Sequence, residues 1–128
     1  MESITLTPFS RAVSGTVAVP GSKSITNRAL ILAALSRESL TLEGALFSED
    51  TEIMAKALRT LGFTVSTDPV GKSIFLVGKG GDIPQSEASL HIGNAGTAAR
   101  FLTAMLALKT GGKYALDGTH AMRKRPMQ

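Results

Sequence analysis

The sequence predicts an α/β fold built from βαβαββ repeat units, with one complete unit followed by the start of a second. Strand-like and helix-like hydrophobic patterns alternate along the chain. Both halves carry a glycine-to-arginine segment that leads into an apolar helix, and these helices are apolar round most of their circumference, as buried helices are. With 128 residues, 43% apolar and 19% charged, the chain suits one ordinary domain with a modest core.

Ser3–Thr7 and Val13–Val19 alternate apolar and polar residues, which predicts two half-buried strands, and Pro20-Gly21 breaks the pattern. Ile25, Ala29, Leu32 and Ala33 recur at helical spacing over Ser24–Leu35, and Leu30, Ile31 and Leu35 widen that stripe, so the helix is expected to be buried. Leu40–Leu42 is a short strand ending at Gly44. Ser48 caps a second helix with Glu49, Asp50 and Glu52 in its first turn, where the helix dipole favours anions. Its apolar face is Ile53, Met54, Ala57, Leu58 and Leu61, and Gly62 ends it. Phe63–Ser66 and Ser73–Val77 read as strands about the turn Asp68-Pro69-Val70-Gly71, and Gly78–Asp82 is a connector. Ser89–Ile92 is a strand, Thr97–Leu108 a second buried helix and Tyr114–Leu116 a further strand. Arg125-Pro126 suits the first turn of another helix, so the chain is expected to stop in mid-element at Gln128.

The repeat stands on two matches. Gly21-Ser-Lys-Ser-Ile-Thr-Asn-Arg28 aligns with Gly93-Asn-Ala-Gly-Thr-Ala-Ala-Arg100 at an offset of 72 residues, and Leu40-Thr-Leu-Glu-Gly44 aligns with Tyr114-Ala-Leu-Asp-Gly118 at an offset of 74. Each first segment is glycine, small polar residues and an arginine, then an apolar helix.

Composition excludes several classes of function. There is no cysteine, hence no disulfide framework and no thiolate metal site, which fits a cytoplasmic protein. The opening residues lack a basic segment followed by an apolar run, and Ala29–Leu35 is far too short to span a membrane. The net charge of +4 comes from scattered basic residues with few aromatics, not from the basic stripe that nucleic acid requires. His91 and His120 stand apart without partner ligands, which argues against a metal site.

Three segments could carry chemistry. In Pro20–Arg28, glycine permits close backbone approach, and the free N–H groups of a new helix attract anions. Ser24 and Arg28 lie four residues apart, about 40° round the helix, and Lys23 sits beside them, so two cations and a hydroxyl could meet one phosphate. Alternatively Ser22 or Ser24 merely caps a core helix and Lys23 is solvated. Gly93–Arg100 is the same device, or a plain strand-to-helix turn; neither segment fits the P-loop or the dinucleotide fingerprint. Arg123-Lys124-Arg125-Pro126 places three cations where a helix is expected to open, against the dipole, which marks either an anion site or a solvated basic surface.

P-G-S-K-S-x-x-N-R, G-N-A-G-T-A-x-R and then R-P resemble, in order, the pattern of the enolpyruvylshikimate-phosphate synthases. The opening Met-Glu-Ser-Ile-Thr-Leu and the Ser48-Glu49-Asp50 helix start are similar as well, and the resemblance covers the whole chain. Ser24 and the absence of cysteine set it apart from the sister UDP-N-acetylglucosamine enolpyruvyl transferases. The resemblance implies the enolpyruvyl transferase fold, an inside-out α/β barrel of two domains, here truncated after about one and a half units. Residues 1–20 would be strands associated with the other, C-terminal domain. Residues 21–128 would be a partial substrate-binding domain, with unit one at 21–85 and the start of unit two at 86–128.

The resemblance also implies shikimate 3-phosphate and phosphoenolpyruvate as ligands, with no metal or organic cofactor. Lys23, Ser24 and Arg28 would hold shikimate 3-phosphate. Lys23, Asn94, Gly96 and Arg125 would hold phosphoenolpyruvate, with Thr97 shaping the loop. Glycine at position 96 would go with sensitivity to glyphosate. Phe101 departs from the proline common in the family, and is expected to affect the helix that carries Thr97 and Arg100. Proton-transfer residues are expected beyond Gln128, in the C-terminal part of the enzyme, so the chain alone should be inactive. The other readings of the same loops are a stand-alone anion-binding or regulatory module, and a structural repeat whose loops are mere caps.

Overall fold

In a computed structural model, residues 3–126 are described. The elements run α1 (Lys23–Leu35), β1 (Ser39–Glu43), α2 (Glu49–Thr60), β2 (Val65–Asp68), β3 (Ser73–Val77), β4 (Glu87–His91), α3 (Gly96–Leu106), β5 (Lys113–Asp117) and α4 (His120–Arg123). From β1 onward each element lies within a few residues of its expected place.

The first sheet has the order β1-β3-β2, all antiparallel, with Leu40 opposite Leu76 and Leu42 opposite Ile74. Asp68 makes the β2–β3 turn by accepting hydrogen bonds at Oδ1 from the Val70 and Gly71 amides, at 3.1 and 3.0 Å. The second sheet is the parallel pair β4–β5, joined through α3 as a parallel crossover requires. The three long helices pack on one another, and Leu30, Met54, Leu58, Leu61 and Leu102 are fully buried with Ile74 and Leu76 of β3. Ser48 begins α2 in extended conformation, and its amide donates to the Thr51 hydroxyl at 2.8 Å.

Three expectations are corrected. Ser3–Thr7 and Val13–Val19 form no strand among the described residues, and Ile4, Leu6, Val13, Val17 and Val19 are exposed. Alternation makes a segment fit for a sheet, but a strand exists only when a neighbour accepts its backbone hydrogen bonds, and no described segment does so. Helix α1 is not buried all round: Thr26, Asn27, Leu30, Ala33 and Ala34 face the core, while Ile25 and Leu32 remain 67% and 68% exposed. Two helices and one sheet cover only one side of it. Arg123 does not open a helix; it ends α4, where a cation suits the dipole, and Lys124 is the C-cap. The helix expected to start at Pro126 would run through Met127 and Gln128, which lie outside the described residues.

Each unit closes on a pair of glycines. A Cβ on Gly21 would collide with the carbonyl oxygen of Gly44 and lie 2.9 Å from the Leu46 amide nitrogen. In unit two, a Cβ on Gly118 would collide with the carbonyl oxygen of Gly93. These are the residues that the repeat aligns, Gly21 with Gly93 and Gly44 with Gly118, although the crowded Cβ position is on the first glycine of one pair and on the second glycine of the other. Hydrogen bonds hold both junctions: the Thr26 hydroxyl accepts from the Leu46 amide at 3.1 Å, and the Gly93 carbonyl accepts from the Thr119 amide at 3.0 Å.

Alanine at Gly21 or Gly118 should therefore destabilise the chain by about 1–3 kcal/mol, the usual cost of forcing an atom into a filled space. Gly15, with nothing within 4 Å of its would-be Cβ, serves as control. Urea unfolding followed by circular dichroism measures this, and equal midpoints for Gly15→Ala, Gly21→Ala and Gly118→Ala would refute it.

Arg123 fastens α4 to β5 through a two-pronged contact, Nε donating to Asp117 Oδ1 at 2.7 Å and Nη2 to Oδ2. The Arg123 hydrogen bond, helped by the Gly118 amide, lowers the Asp117 pKa from its ordinary 3.8 to about 2. A carboxylate with a lowered folded-state pKa adds stability above its ordinary pKa and loses it as pH falls toward the folded value. The melting-temperature difference between wild type and Asp117→Asn should thus be small but constant near neutrality, and should narrow between about pH 4 and pH 2. A difference independent of pH would show that the carboxylate charge contributes nothing.

Candidate functional site

The first candidate segment forms the start of α1. Ser22 is its N-cap, its side chain accepting from the Ile25 amide at 3.4 Å, so the capping alternative applies to Ser22 and leaves Ser24 free of that task. Lys23 opens the helix, and its Nζ lies 3.2 Å from Asp50 Oδ2, with half of the lysine side chain still exposed. Ser24 is half-buried, Arg28 is exposed and Asn27 between them is fully buried. The Arg28 guanidinium lies 5.6 Å from the centroid of the Phe101 ring on α3.

The second and third segments come together as one cluster. Gly96 is the first residue of α3, with Ala95 as N-cap. The Asn94 carbonyl accepts from the Gly96 amide at 2.9 Å and from Arg125 Nη1 at 3.3 Å. The Asn94 side-chain oxygen accepts from the Thr119 hydroxyl at 2.5 Å. A Cβ on Gly96 would stand 3.2 Å from Arg125 Nη1, and Gly96 is not among the glycines with positive φ. The turn itself therefore does not demand glycine at 96, and a methyl group there would displace the exposed Arg125 guanidinium only slightly.

Helix α2 stands between the two turns. Its first turn supplies Asp50 to Lys23, and a Cβ on Gly93 would lie 3.0 Å from Ile53 Cδ1 and 3.8 Å from Glu49 Oε1. Both candidate loops thus border the same helix end. Among the described residues, Arg28 and Arg125 have no carboxylate partner, whereas Lys109 and Arg123 are paired with Asp82 and Asp117. The structure so divides the basic run: Arg123 is a structural cation and Arg125 a candidate ligand group. Among the described residues no group of three His, Asp or Glu side chains is arranged to hold a metal ion, and no helix is long and apolar enough to cross a membrane.

Three contacts escaped the reading of the sequence. Asp50 stands out in the sequence as a charge favoured by the helix dipole and as part of a family-like helix start but not as a partner of Lys23, Thr119 carries no motif at all, and Phe101 stands out as a departure without a partner. Each lies far along the chain from the residue it touches, and no local pattern marks such a pair.

Residues 9–128 match the sequence profile of EPSP synthase (3-phosphoshikimate 1-carboxyvinyltransferase). The 3-phosphoshikimate 1-carboxyvinyltransferase of Trichormus variabilis is 53% identical over 127 residues, covering 99% of this chain and 30% of that protein. Its counterpart in Opitutus terrae is 48% identical over 124 residues, covering 96% of this chain and 29% of that protein. The EPSP synthase of Acinetobacter baumannii superposes with a TM-score of 0.72 at 27% identity, over 88% of this chain and 25% of the other. The chain spans about 30% of the length of the curated relatives it matches, and its architecture is that of the N-terminal part of the enolpyruvyl transferase fold. Motif order, paired-glycine repeat, profile and superposition converge, and the chain belongs to the EPSP synthase family.

Proposed function

We propose that this chain is the part of a 3-phosphoshikimate 1-carboxyvinyltransferase that grips both substrates, shikimate 3-phosphate and phosphoenolpyruvate. The observation that carries this is the pair of duplicated turns on either side of the α2 start, with Arg28 and Arg125 lacking carboxylate partners among the described residues. Lys23, Ser24 and Arg28 take the phosphate of shikimate 3-phosphate. Lys23, Asn94, Gly96 and Arg125 take phosphoenolpyruvate, with Lys23 shared.

In the reaction the 5-hydroxyl oxygen of shikimate 3-phosphate bonds to the central carbon of phosphoenolpyruvate while the methylene carbon gains a proton. The hydroxyl proton leaves to a base. The methyl group of the resulting tetrahedral adduct then gives up a proton, the double bond re-forms and phosphate departs. Cations held in place at both anions offset their mutual repulsion and stabilise charge that develops on the departing phosphate. Proton transfer is assigned to the part of the family's length that this chain does not cover. The exposed apolar residues of 3–20, which form no strand among the described residues, would gain strand partners only from the second domain. A cytoplasmic place of action fits the absence of cysteine.

A chimera tests the reading: this chain replaces the matching segment of the Trichormus variabilis relative. The chimera should release phosphate only when both substrates are present. A folded chimera without turnover would overturn the proposal, and turnover by the isolated 128-residue chain would overturn the placement of the proton-transfer groups. In the chimera, Lys23→Ala should lower kcat/KM at least about tenfold, because charge-assisted contacts contribute about 1.5–3 kcal/mol. Unchanged kinetics would return Lys23 to a role limited to its ion pair with Asp50.

Gly96→Ala separates a ligand role from a structural one. The new methyl group crowds Arg125 without straining the backbone, so stability should hold while inhibition by glyphosate weakens roughly tenfold or more, and beyond any change in shikimate 3-phosphate binding. Inhibition curves beside thermal melts decide it. A lowered melting temperature with unaltered inhibition would remove Gly96 from the phosphoenolpyruvate site.

A further inference from the structure

We propose that Phe101 is a positioning residue for Arg28, holding its guanidinium by a cation–π contact so that the cation is set before ligand arrives. Arg28 lies on α1 of unit one and Phe101 on α3 of unit two, and the two helices pack directly. The guanidinium carbon is 5.6 Å from the ring centroid, within the range of a cation–π contact. Phe101 is half-buried and packed against the core, so the ring is the fixed partner and the arginine the one held. Together with Ile31 and Leu32 the pair lines a shallow hollow of about 230 Å³. Among the described residues nothing else restrains the Arg28 head group: it has no carboxylate partner and makes no side-chain hydrogen bond.

The aligned position in unit one shows what the ring adds. Arg28 is followed by Ala29, and Arg100 by Phe101. Arg100, the repeat's counterpart of Arg28, makes no such contact with an aromatic ring among the described residues. Only one of the two duplicated arginines is held this way. An unrestrained arginine loses much side-chain freedom when it binds, and a contact that forms beforehand removes part of that loss. Phe101 thereby affects affinity for the ligand of Arg28 without touching it.

The proposal rests on the assignment of Arg28 to shikimate 3-phosphate, and a double-mutant cycle in the chimera keeps the two apart. Arg28→Ala should raise KM for shikimate 3-phosphate; if it does not, the assignment of Arg28 fails. Phe101→Leu should raise that KM about twofold to fivefold, the span of an exposed cation–π contact, with a smaller change in kcat. Phe101→Tyr, which keeps the ring, should restore the wild-type value. In the Arg28→Ala background Phe101→Leu should have no further effect on KM. If Arg28→Ala raises KM while Phe101→Leu leaves it unchanged, or adds its full effect in that background, the positioning role is overturned. The contact is also read directly in the 128-residue chain. The Arg28 Nε–H resonance should be shifted upfield by the ring and should lose that shift in Phe101→Leu but not in Phe101→Tyr. An unshifted wild-type resonance would refute the contact itself.

Discussion

In each unit the turn that precedes the first helix lies directly on the turn that follows the next strand, with no side chain between them. Gly21 rests on Gly44, and Gly93 on Gly118. A hydrogen bond beside each contact fixes the approach, from the Leu46 amide in one unit and the Thr119 amide in the other. This approach sets where α1 and α3 begin, because their first residues follow Gly21 and Gly93 within a few positions. It also fixes the chain after β5, from which Thr119 reaches Asn94 and Arg125 returns to the Asn94 carbonyl. Close backbone packing without side chains therefore does two things here. It closes each unit, and it assembles a loop whose polar groups come from two distant stretches of chain.

Much of this was legible beforehand, for reasons that particular residues illustrate. Helix α2 announces itself through Ser48, three acids in its first turn and a clean apolar stripe, and it forms where expected. Strand β3 is a short apolar run bounded by turn residues and is found at Ser73–Val77. The repeat could be seen as a sequence offset, and both pairs of glycines that it aligns lie in contact. Residues 3–20 show the limit of such reading. Their alternation is real, yet a strand is a property of a pair, and a pattern cannot name its partner. The exposed flank of α1 makes the same point, since an apolar circumference states that burial is favourable but not that a neighbour is there to provide it. In the candidate site, the residues within each motif were legible, but Lys23–Asp50, Asn94–Thr119 and Arg28–Phe101 join segments that no local spacing connects.

Electrostatics separates the helices by task. The first turns of α1 and α3 contain no acidic residue, so nothing in those turns offsets the partial positive charge of the helix ends. Helix α2 carries Glu49, Asp50 and Glu52 there and is satisfied by its own sequence. Asp50 serves a second purpose by lying 3.2 Å from Lys23, which gives that lysine a partner in the ligand-free chain. Any anion that met Lys23 would have to share it with this carboxylate or displace it. Such a pair in a half-exposed setting is weak enough to yield, and it keeps the lysine directed toward the helix end meanwhile. Arg28 and Arg125 are held by different means, a ring and a carbonyl oxygen, neither of which neutralises their charge.

Duplication alone would have produced two equivalent turns, and the differences between the units explain why the structure has something else. Unit one keeps Lys23 and Ser24 at the positions where unit two has Ala95 and Gly96. The first turn presents charged and hydroxyl groups; the second presents bare backbone and recruits its cation, Arg125, from beyond β5. Two turns so different in chemistry offer different surfaces to a ligand, where identical turns would offer the same one. Phe101 carries the divergence across the boundary: a residue of unit two restrains an arginine of unit one, while the arginine aligned with it remains free of any such ring among the described residues. The two units are therefore not independent binders placed side by side. The position of the Arg28 side chain on α1 depends on a ring supplied by α3, so a change in one helix is felt at the exposed face of the other.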